Sequence, residues 1–477
     1  METIQKTQTI CPVCGRPLSA EYKKEKDGVY FISECPEHGI TKTLAAENEK
    51  DITEWMGSPV VNVPPKRPIT KGNQNECPLH CGTCENHMQT ACCVLIDITN
   101  RCNQHCPYCF AVSYLSEGRR AKEGEPDFAE MERKYDLLLE LGEERPFNIH
   151  ISGGEPTVRD DLPEIIRMGR EKGFEYIQVN SNGKRIAEEE NYAKILKEAG
   201  TSVVFMQFDG TREDIYLKLR NEALFEKKKK AVENCRKAGL PVTLVPTIVK
   251  GINLDNIGDM LKYLLDNTDV VKGIHFQPAS FFGRYPGEDE KTRRATMFDV
   301  LHGIEEQAEG FCYKDFAPIA TGHQLCCFYS TYMKMPDGKV KLMLSKEEKD
   351  KGVTCCGKSE DKEISCCSKE PSEYEKIDII KKNRDYVLNK WSVAGLGEEC
   401  SCKDPENMDF DEFLSYYKNN VFTVTGMAFM DRSNLDAERL KRCRVQQLTE
   451  DDRLIPFCAY NSYYRDKEKK DVQTRKF

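Results

Sequence analysis

Residues 93–109 read CVLIDITNRCNQHCPYC. A run of seven residues broken only by Asp97 is followed closely by three cysteines spaced C-x3-C-x2-C. An apolar run this short, continuous enough to be buried on both faces, predicts a strand in a parallel sheet. Five runs of the same kind follow: FNIHIS (147–152), YIQVN (176–180), SVVFMQF (202–208), PVTLVPTI (241–248) and GIHFQP (273–278). Between them lie stretches such as FAEMERKYDLLLELG (128–142), LPEIIRMGREKG (162–173) and NYAKILKEAG (191–200), with apolar residues at helical spacing and glycine near the end. Alternating strand and helix predicts an α/β fold, and six such units predict a partial (β/α)6 TIM-type barrel. Right-handed crossovers put the carboxyl ends of all six strands on one side, where functional residues collect.

The chain has 477 residues and a net charge of −9, which predicts several domains and argues against nucleic acid as a partner. The expected organisation is a mononuclear metal module at 1–57, a linker and cysteine knuckle at 58–90, the barrel at 91–309, and a cysteine-rich extension at 310–477 carrying auxiliary clusters. No apolar run approaches the ~18 residues of a membrane span. The opening METIQKTQTI lacks the basic-then-apolar order of a secretory leader, so the expectation is a cytoplasmic protein, with peripheral membrane contact left open. The basic run Lys227–Lys230 reads as a solvated helical face.

Twenty-three cysteines without a secretory leader point to metal ligands rather than disulfides. Cys11, Cys14, Cys35 and His38 (CPVCG, then CPEHG) have the knuckle spacing of a tetrahedral mononuclear site for zinc or iron. The C-x3-C-x2-C spacing occurs twice, at Cys77, Cys81, Cys84 and at Cys102, Cys106, Cys109. Three thiolates on one loop hold a [4Fe–4S] cube with one iron open to an outside ligand. The second copy directly follows the buried run 93–99, so its loop lies at the end of a sheet strand, whereas the first follows only a polar linker; context therefore selects Cys102, Cys106 and Cys109 as the catalytic set. The first set suits an auxiliary [4Fe–4S] cluster with a ligand from elsewhere, and Cys326, Cys443 and Cys458 suit another. Cys92, Cys235 and Cys312 read equally well as free buried thiols.

The second loop, with Tyr108 before its last cysteine, closely resembles the radical S-adenosylmethionine (radical SAM) superfamily. The resemblance implies that the open iron chelates SAM, that Tyr108 lies against the adenine, and that one electron from the cluster yields a 5′-deoxyadenosyl radical. Ser152-Gly153-Gly154-Glu155-Pro156 looks like the superfamily's GGEP motif for the SAM amino group. Asn180, Ser181 and Asn182 follow the third run as candidates for the ribose hydroxyls. Later strand ends supply further candidates for the SAM site: Gln207 and Asp209 end the fourth run, Val245 to Thr247 the fifth, and His275 with Gln277 the sixth.

The order CPVC, CPEHG, CPLHCGTCENH, the SAM loop, VPTIVKGIN, GHQLC and MAFMD…ERLKRC…IPFCAYN resembles the archaeal tetraether lipid synthase family, formerly described as pterin methyltransferases. That implies hydrogen abstraction from an unactivated carbon and C–C bond formation on a lipid-like substrate, with ferredoxin or flavodoxin as reductant. Methylation of a pterin or another small molecule is the alternative enzyme reading, and a non-catalytic iron–sulfur electron-transfer protein is the reading of another class. Cysteine pairs 355–356 and 366–367 stand outside the family pattern.

Overall fold

A computed structural model describes residues 2–66, 77–111, 114–115, 125–142, 147–286, 294–343 and 410–465; Cys355, Cys356, Cys366 and Cys367 lie outside them. The N-terminal unit is an antiparallel sheet of β1 (Glu2–Ile10), β2 (Pro17–Glu25), β3 (Gly28–Cys35) and β4 (Gly39–Ala46), followed by α1 (Glu49–Met56). Its contact with the rest of the chain is partly polar. Thr7 Oγ1 and Tyr22 Oη donate to the buried Asp436 carboxylate at 2.6 and 2.9 Å.

The main sheet starts with β5 (Cys93–Thr99). A short pair, β6 (Arg101–Cys102) with β7 (Tyr114–Leu115), leads into the cysteine loop. Then come β8 (Asn148–Gly153), β9 (Ile177–Ser181), β10 (Val203–Gln207), β11 (Val242–Val245), the extension β12 (Thr247–Ile248) and β13 (Val271–Pro278). Strands β5, β8, β9, β10, β11 and β13 pair in that order, all parallel. These are the six runs of the sequence, and the architecture is the expected α/β partial barrel. The crossovers are helical, including α2 (Phe128–Leu141), α3 (Leu162–Glu171), α4 (Lys184–Glu188), α5 (Tyr192–Ala199), α6 (Glu213–Arg220), α7 (Phe225–Lys237) and α8 (Ile257–Leu265). Asp127 caps α2 by accepting from Glu130 N, and Gly200 ends α5 in the left-handed region at φ 107°.

Residues after 310 do more than follow the barrel. Strand β14 (Cys327–Lys334) pairs with β15 (Val340–Leu342) and with β16 (Val421–Met427), and β16 runs parallel to β13. At the other edge β17 (Val445–Leu448) runs parallel to β5 and carries β18 (Leu454–Pro456). Both edges of the barrel are thus covered by C-terminal strands, leaving neither with a bare row of peptide groups.

The basic run needs a correction. Lys228 is 1% exposed, because on α7 it shares a face with Ala231, Val232 and Cys235, all buried, at the i, i+3, i+4 and i+7 spacing of a core stripe.

One close approach positions the cysteine loop. Gly154 N donates to Thr99 O and Glu155 N to Arg101 O, each at 2.8 Å. Gly153 has φ +128°, and a Cβ there would sit 2.2 Å from Thr99 O; one on Gly154 would sit 2.1 Å from Arg101 O. Only glycine permits this contact between backbones. A Gly154→Ala variant is expected to lose about 1–3 kcal/mol through overpacking, with a lower Tm and less iron bound per chain on anaerobic reconstitution. Unchanged Tm and iron content would show that the approach is dispensable.

Candidate active site

The carboxyl ends of the parallel strands open into a cavity of about 430 Å³. Cys102, Cys106 and Cys109 line it, as do Tyr108, Ser152, Gly153, Gly154, Glu155 and Pro156. Asn180, Ser181, Asn182 and Gln207 line it as well. Asp209 does not; it is fully buried behind the wall.

The loop carrying the three thiols is anchored on both sides. Asn103 Oδ1 accepts from Asn182 Nδ2 at 2.7 Å, and Cys109 exchanges backbone hydrogen bonds with Arg284 at 2.8 Å. Burial, then the Glu155 charge, push the Cys102 thiol well above its usual range. Burial raises Cys106 too, opposed by the Arg220 guanidinium, which hydrogen-bonds its sulfur. Thiols in this state ionise only when a cation joins them. In the same loop the Gln104 side-chain nitrogen is buried with no partner. Three thiols of one loop and an orphaned donor, all lining one cavity, fit an iron–sulfur cube bound by three cysteines.

The polar residues near the loop divide into those that face the cavity freely and those bound to protein. Glu155 is bound. Its carboxylate accepts from Thr157 Oγ1 (2.6 Å), Thr157 N (3.2 Å), Ser181 Oγ (2.8 Å) and Asn182 N (2.6 Å), so it locks the end of β8 to the end of β9. Asn180 Oδ1 accepts from Gln178 Nε2 at 2.7 Å. Asp209 forms a two-point ion pair with Arg220, 2.7 Å at each oxygen, and accepts from Thr247 N at 3.1 Å. Arg220 also donates to Tyr108 O and Thr247 Oγ1, both at 2.9 Å. Lys228 donates to Asn182 O and, at 3.0 Å, to Gln207 Oε1; burial holds its pKa down at about 8, with Asp209 opposing the shift.

Arg220 was not singled out from the sequence and Lys228 was read there only as part of a solvated face, although each lies on the buried stripe of its helix. Nor were His150, Tyr176, Gln178 and Phe205, which line the cavity below the loop. Their signal is alternation: Tyr176, Gln178 and Asn180 on one strand and His150 with Ser152 on the next fall on the face shared by every second residue.

The other cysteines fall into groups. The ligand atoms of Cys11, Cys14, Cys35 and His38 lie within 4.8 Å of one another, the one such donor group among the described residues. Cys77 and Cys81 share a hydrogen bond that lowers the first thiol and raises the second, with burial adding to the rise. Cys84 follows on the same knuckle. Arg439 Nε donates to Cys326 Sγ at 3.4 Å, and burial followed by the charges of Cys458 and Cys326 raises Cys443. Cys81 and Cys458 share one apolar cluster with Tyr464. Cys235 is core, while Cys312 is exposed rather than buried.

A three-cysteine loop over a cavity at the strand ends of a parallel barrel defines an iron–sulfur enzyme. The radical SAM superfamily model matches residues 96–264, and that of the HMPTM N-terminal zinc ribbon domain matches residues 3–47. The chain is 34% identical to the 7,8-dihydro-6-hydroxymethylpterin dimethyltransferase of Methanocaldococcus jannaschii, over 97% of this chain and 94% of that protein. It is 29% identical to the GTP 3′,8-cyclase of Listeria welshimeri over 40% of this chain and 55% of that one. Among solved structures, Streptococcus suis SuiB bound to S-adenosylmethionine is similar at 15% identity and a TM-score of 0.36, covering 46% of this chain and 48% of that one. The chain belongs to the radical SAM superfamily, in the family of the methanogen dimethyltransferase. That superfamily uses a [4Fe–4S] cluster, SAM and an external reductant, and the N-terminal ribbon with its Cys/His group adds a metal site. Among the described residues no helix is long and apolar enough to cross a membrane.

The duplicated spacing gives a direct comparison. Cys106→Ala is expected to abolish formation of 5′-deoxyadenosine from SAM, while Cys81→Ala retains uncoupled cleavage detectable by chromatography. The reverse result would mean that Cys77, Cys81 and Cys84 form the catalytic set.

Proposed function

We propose that this protein is a radical SAM methyltransferase acting on a pterin-class small molecule, with Cys102, Cys106 and Cys109 as the SAM-cluster ligands. The observation that carries the reading is near end-to-end similarity to the dimethyltransferase, 97% of one chain against 94% of the other, which takes in the ribbon and the C-terminal strands as well as the barrel. The cavity supports it, since its lower part presents hydrogen-bonding side chains and aromatic faces together.

Cys102, Cys106 and Cys109 would hold the cluster, which would supply the electron, and SAM the sulfonium, for radical chemistry in the cavity. The chain's own residues orient and enclose. Tyr108 and the Gly153–Pro156 turn flank the loop on the cavity side, where the Glu155 carboxylate is fully engaged by protein donors. The Asp209–Arg220 pair fixes the loop from behind through the Tyr108 carbonyl. Cys77, Cys81, Cys84 and Cys326, Cys443, Cys458 are candidate ligands of auxiliary [4Fe–4S] clusters, and Cys11, Cys14, Cys35 and His38 of zinc or iron.

C–C coupling on a lipid-like substrate is the second reading, favoured by an apolar stretch of cavity wall made by Leu95, Phe282, Phe429 and Phe457. Turnover with methyl-deuterated SAM separates the two. The methyltransferase is expected to form both 5′-deoxyadenosine and S-adenosylhomocysteine and to add a labelled methyl group to the pterin, read by mass spectrometry. 5′-Deoxyadenosine with no S-adenosylhomocysteine, and a pterin of unchanged mass, would replace it with coupling.

A further inference from the structure

Three side chains cross the floor of the cavity: His150 on β8, Phe205 on β10 and His275 on β13. Their rings form a row with centroids 6.4 Å apart for His150 and Phe205 and 5.6 Å for Phe205 and His275, tilted by 40° and 45°. His150 lies three residues before Gly153, about 10 Å down the strand at ~3.3 Å per residue. The row is therefore below the cysteine loop, and it includes His275, which the sequence offers as a strand-end candidate for the SAM site.

The hydrogen bonds around the two histidines are consistent with one tautomer of each. Tyr176 Oη donates to Gln178 Oε1 at 3.1 Å, and Gln178 Nε2 donates to Asn180 Oδ1 at 2.7 Å, which fixes the amide. Gln178 Nε2 then also donates to His150 Nδ1 at 3.3 Å, leaving the His150 proton on Nε2. At the other end Thr425 Oγ1 lies 2.8 Å from His275 Nδ1 and 3.3 Å from Ile274 O; with its one proton on the carbonyl it accepts from His275 Nδ1–H, and His275 Nε2 then carries a lone pair. Burial keeps both rings neutral, at about 3 for His150, with His275 adding to the shift, and about 4 for His275. The charged residues that line the cavity, Glu155, Arg220 and Arg284, belong to the turn and segments that hold the cysteine loop.

We infer that the His150–Phe205–His275 row is the recognition subsite for the substrate, reading the lactam edge of a planar, uncharged heteroaromatic ring. His150 Nε2–H donates to the ring carbonyl, His275 Nε2 accepts from the adjacent ring N–H, and Phe205 lies against the ring face. A carboxylate or phosphate finds no cation here. An alkyl chain leaves both Nε2 atoms unpaired, a penalty that discriminates strongly in a buried site. The inference rests on the pterin-class reading above and adds to it which edge of the ring is read, and by which atoms.

The test uses the full-length, anaerobically reconstituted holoenzyme and measures binding of 6-hydroxymethyl-7,8-dihydropterin and of its N3-methyl derivative, which lacks the lactam N–H. In the unaltered protein N3-methylation is expected to weaken binding about tenfold or more. His275→Phe is expected to bind the parent pterin about tenfold more weakly and to lose the discrimination between the two compounds. His150→Phe is expected to weaken the parent while keeping the discrimination, because the donor it removes faces the carbonyl. SAM-dependent change in the cluster's paramagnetic resonance spectrum reports that each variant still folds around its cluster. An equal loss on N3-methylation in the unaltered protein and in His275→Phe, or no loss in either, overturns the subsite while leaving the pterin class standing. Failure of the unaltered holoenzyme to bind either pterin while it still cleaves SAM overturns the substrate class and the subsite with it.

Discussion

Two hydrogen bonds, Gly154 N to Thr99 O and Glu155 N to Arg101 O, hold the end of the second barrel strand against the backbone that opens into the cysteine loop. Everything at the mouth of the barrel follows from that contact. It places the first cysteine of the loop directly over the end of the sheet, and it turns Glu155 inward, away from solvent. A side chain on either glycine would occupy the space of a carbonyl oxygen, so the geometry of a metal loop is set by the absence of two β-carbons.

The charges beneath the loop obey a second constraint. Glu155, Asp209, Arg220 and Lys228 are all nearly or fully buried, and an isolated buried charge is far too costly to persist. Each is therefore engaged. Glu155 is saturated by four donors, Asp209 is paired at both oxygens, and Lys228 reaches a carbonyl and an amide oxygen. Buried pairs of this kind add little net stability, and breaking one by removing a partner is expensive. Their effect here is positional: Arg220 joins the fourth and fifth strand ends to the Tyr108 carbonyl and the Cys106 sulfur, so the loop has one low-energy placement.

The barrel was legible because its strands are buried on both faces. The run 93–99 is observed as the strand Cys93–Thr99, since helices cover one side and the cavity wall the other. The edge strands were not legible. Val421–Met427 pairs with a strand some 150 positions earlier in the chain, and Val445–Leu448 carries two buried glutamines that local pattern does not mark as core. Lys228 was misread because charge was weighed before periodicity, although its helical neighbours at i+3, i+4 and i+7 are all core. His150 and Gln178 were hidden in runs read only as strand. The alternation of polar residues within FNIHIS and YIQVN already separated a polar inner face from an apolar outer one, and that face is the cavity floor.

The C-terminal strands do more than close the sheet, and the positions of three cysteines show why. Val445, Phe457 and Met427 line the cavity. Cys443 lies two residues before the first, Cys458 directly follows the second, and Cys327, the neighbour of Cys326, is paired in register with the third. The polypeptide that builds the apolar side of the cavity is therefore the polypeptide that carries the distant cysteine group. A metal centre held by Cys326, Cys443 and Cys458 would be fixed to the wall itself, adding to the β17–β18 pairing and to the Ala428 N–Cys326 O and Met430 N–Cys458 Sγ hydrogen bonds that already join these segments. The ribbon joins the same region, since Arg439, which donates to Cys326, lies one turn from Asp436, the acceptor for Thr7 and Tyr22. Residues 436–458 thus contact the ribbon, carry two of the three cysteines and supply part of the cavity wall through Val445 and Phe457.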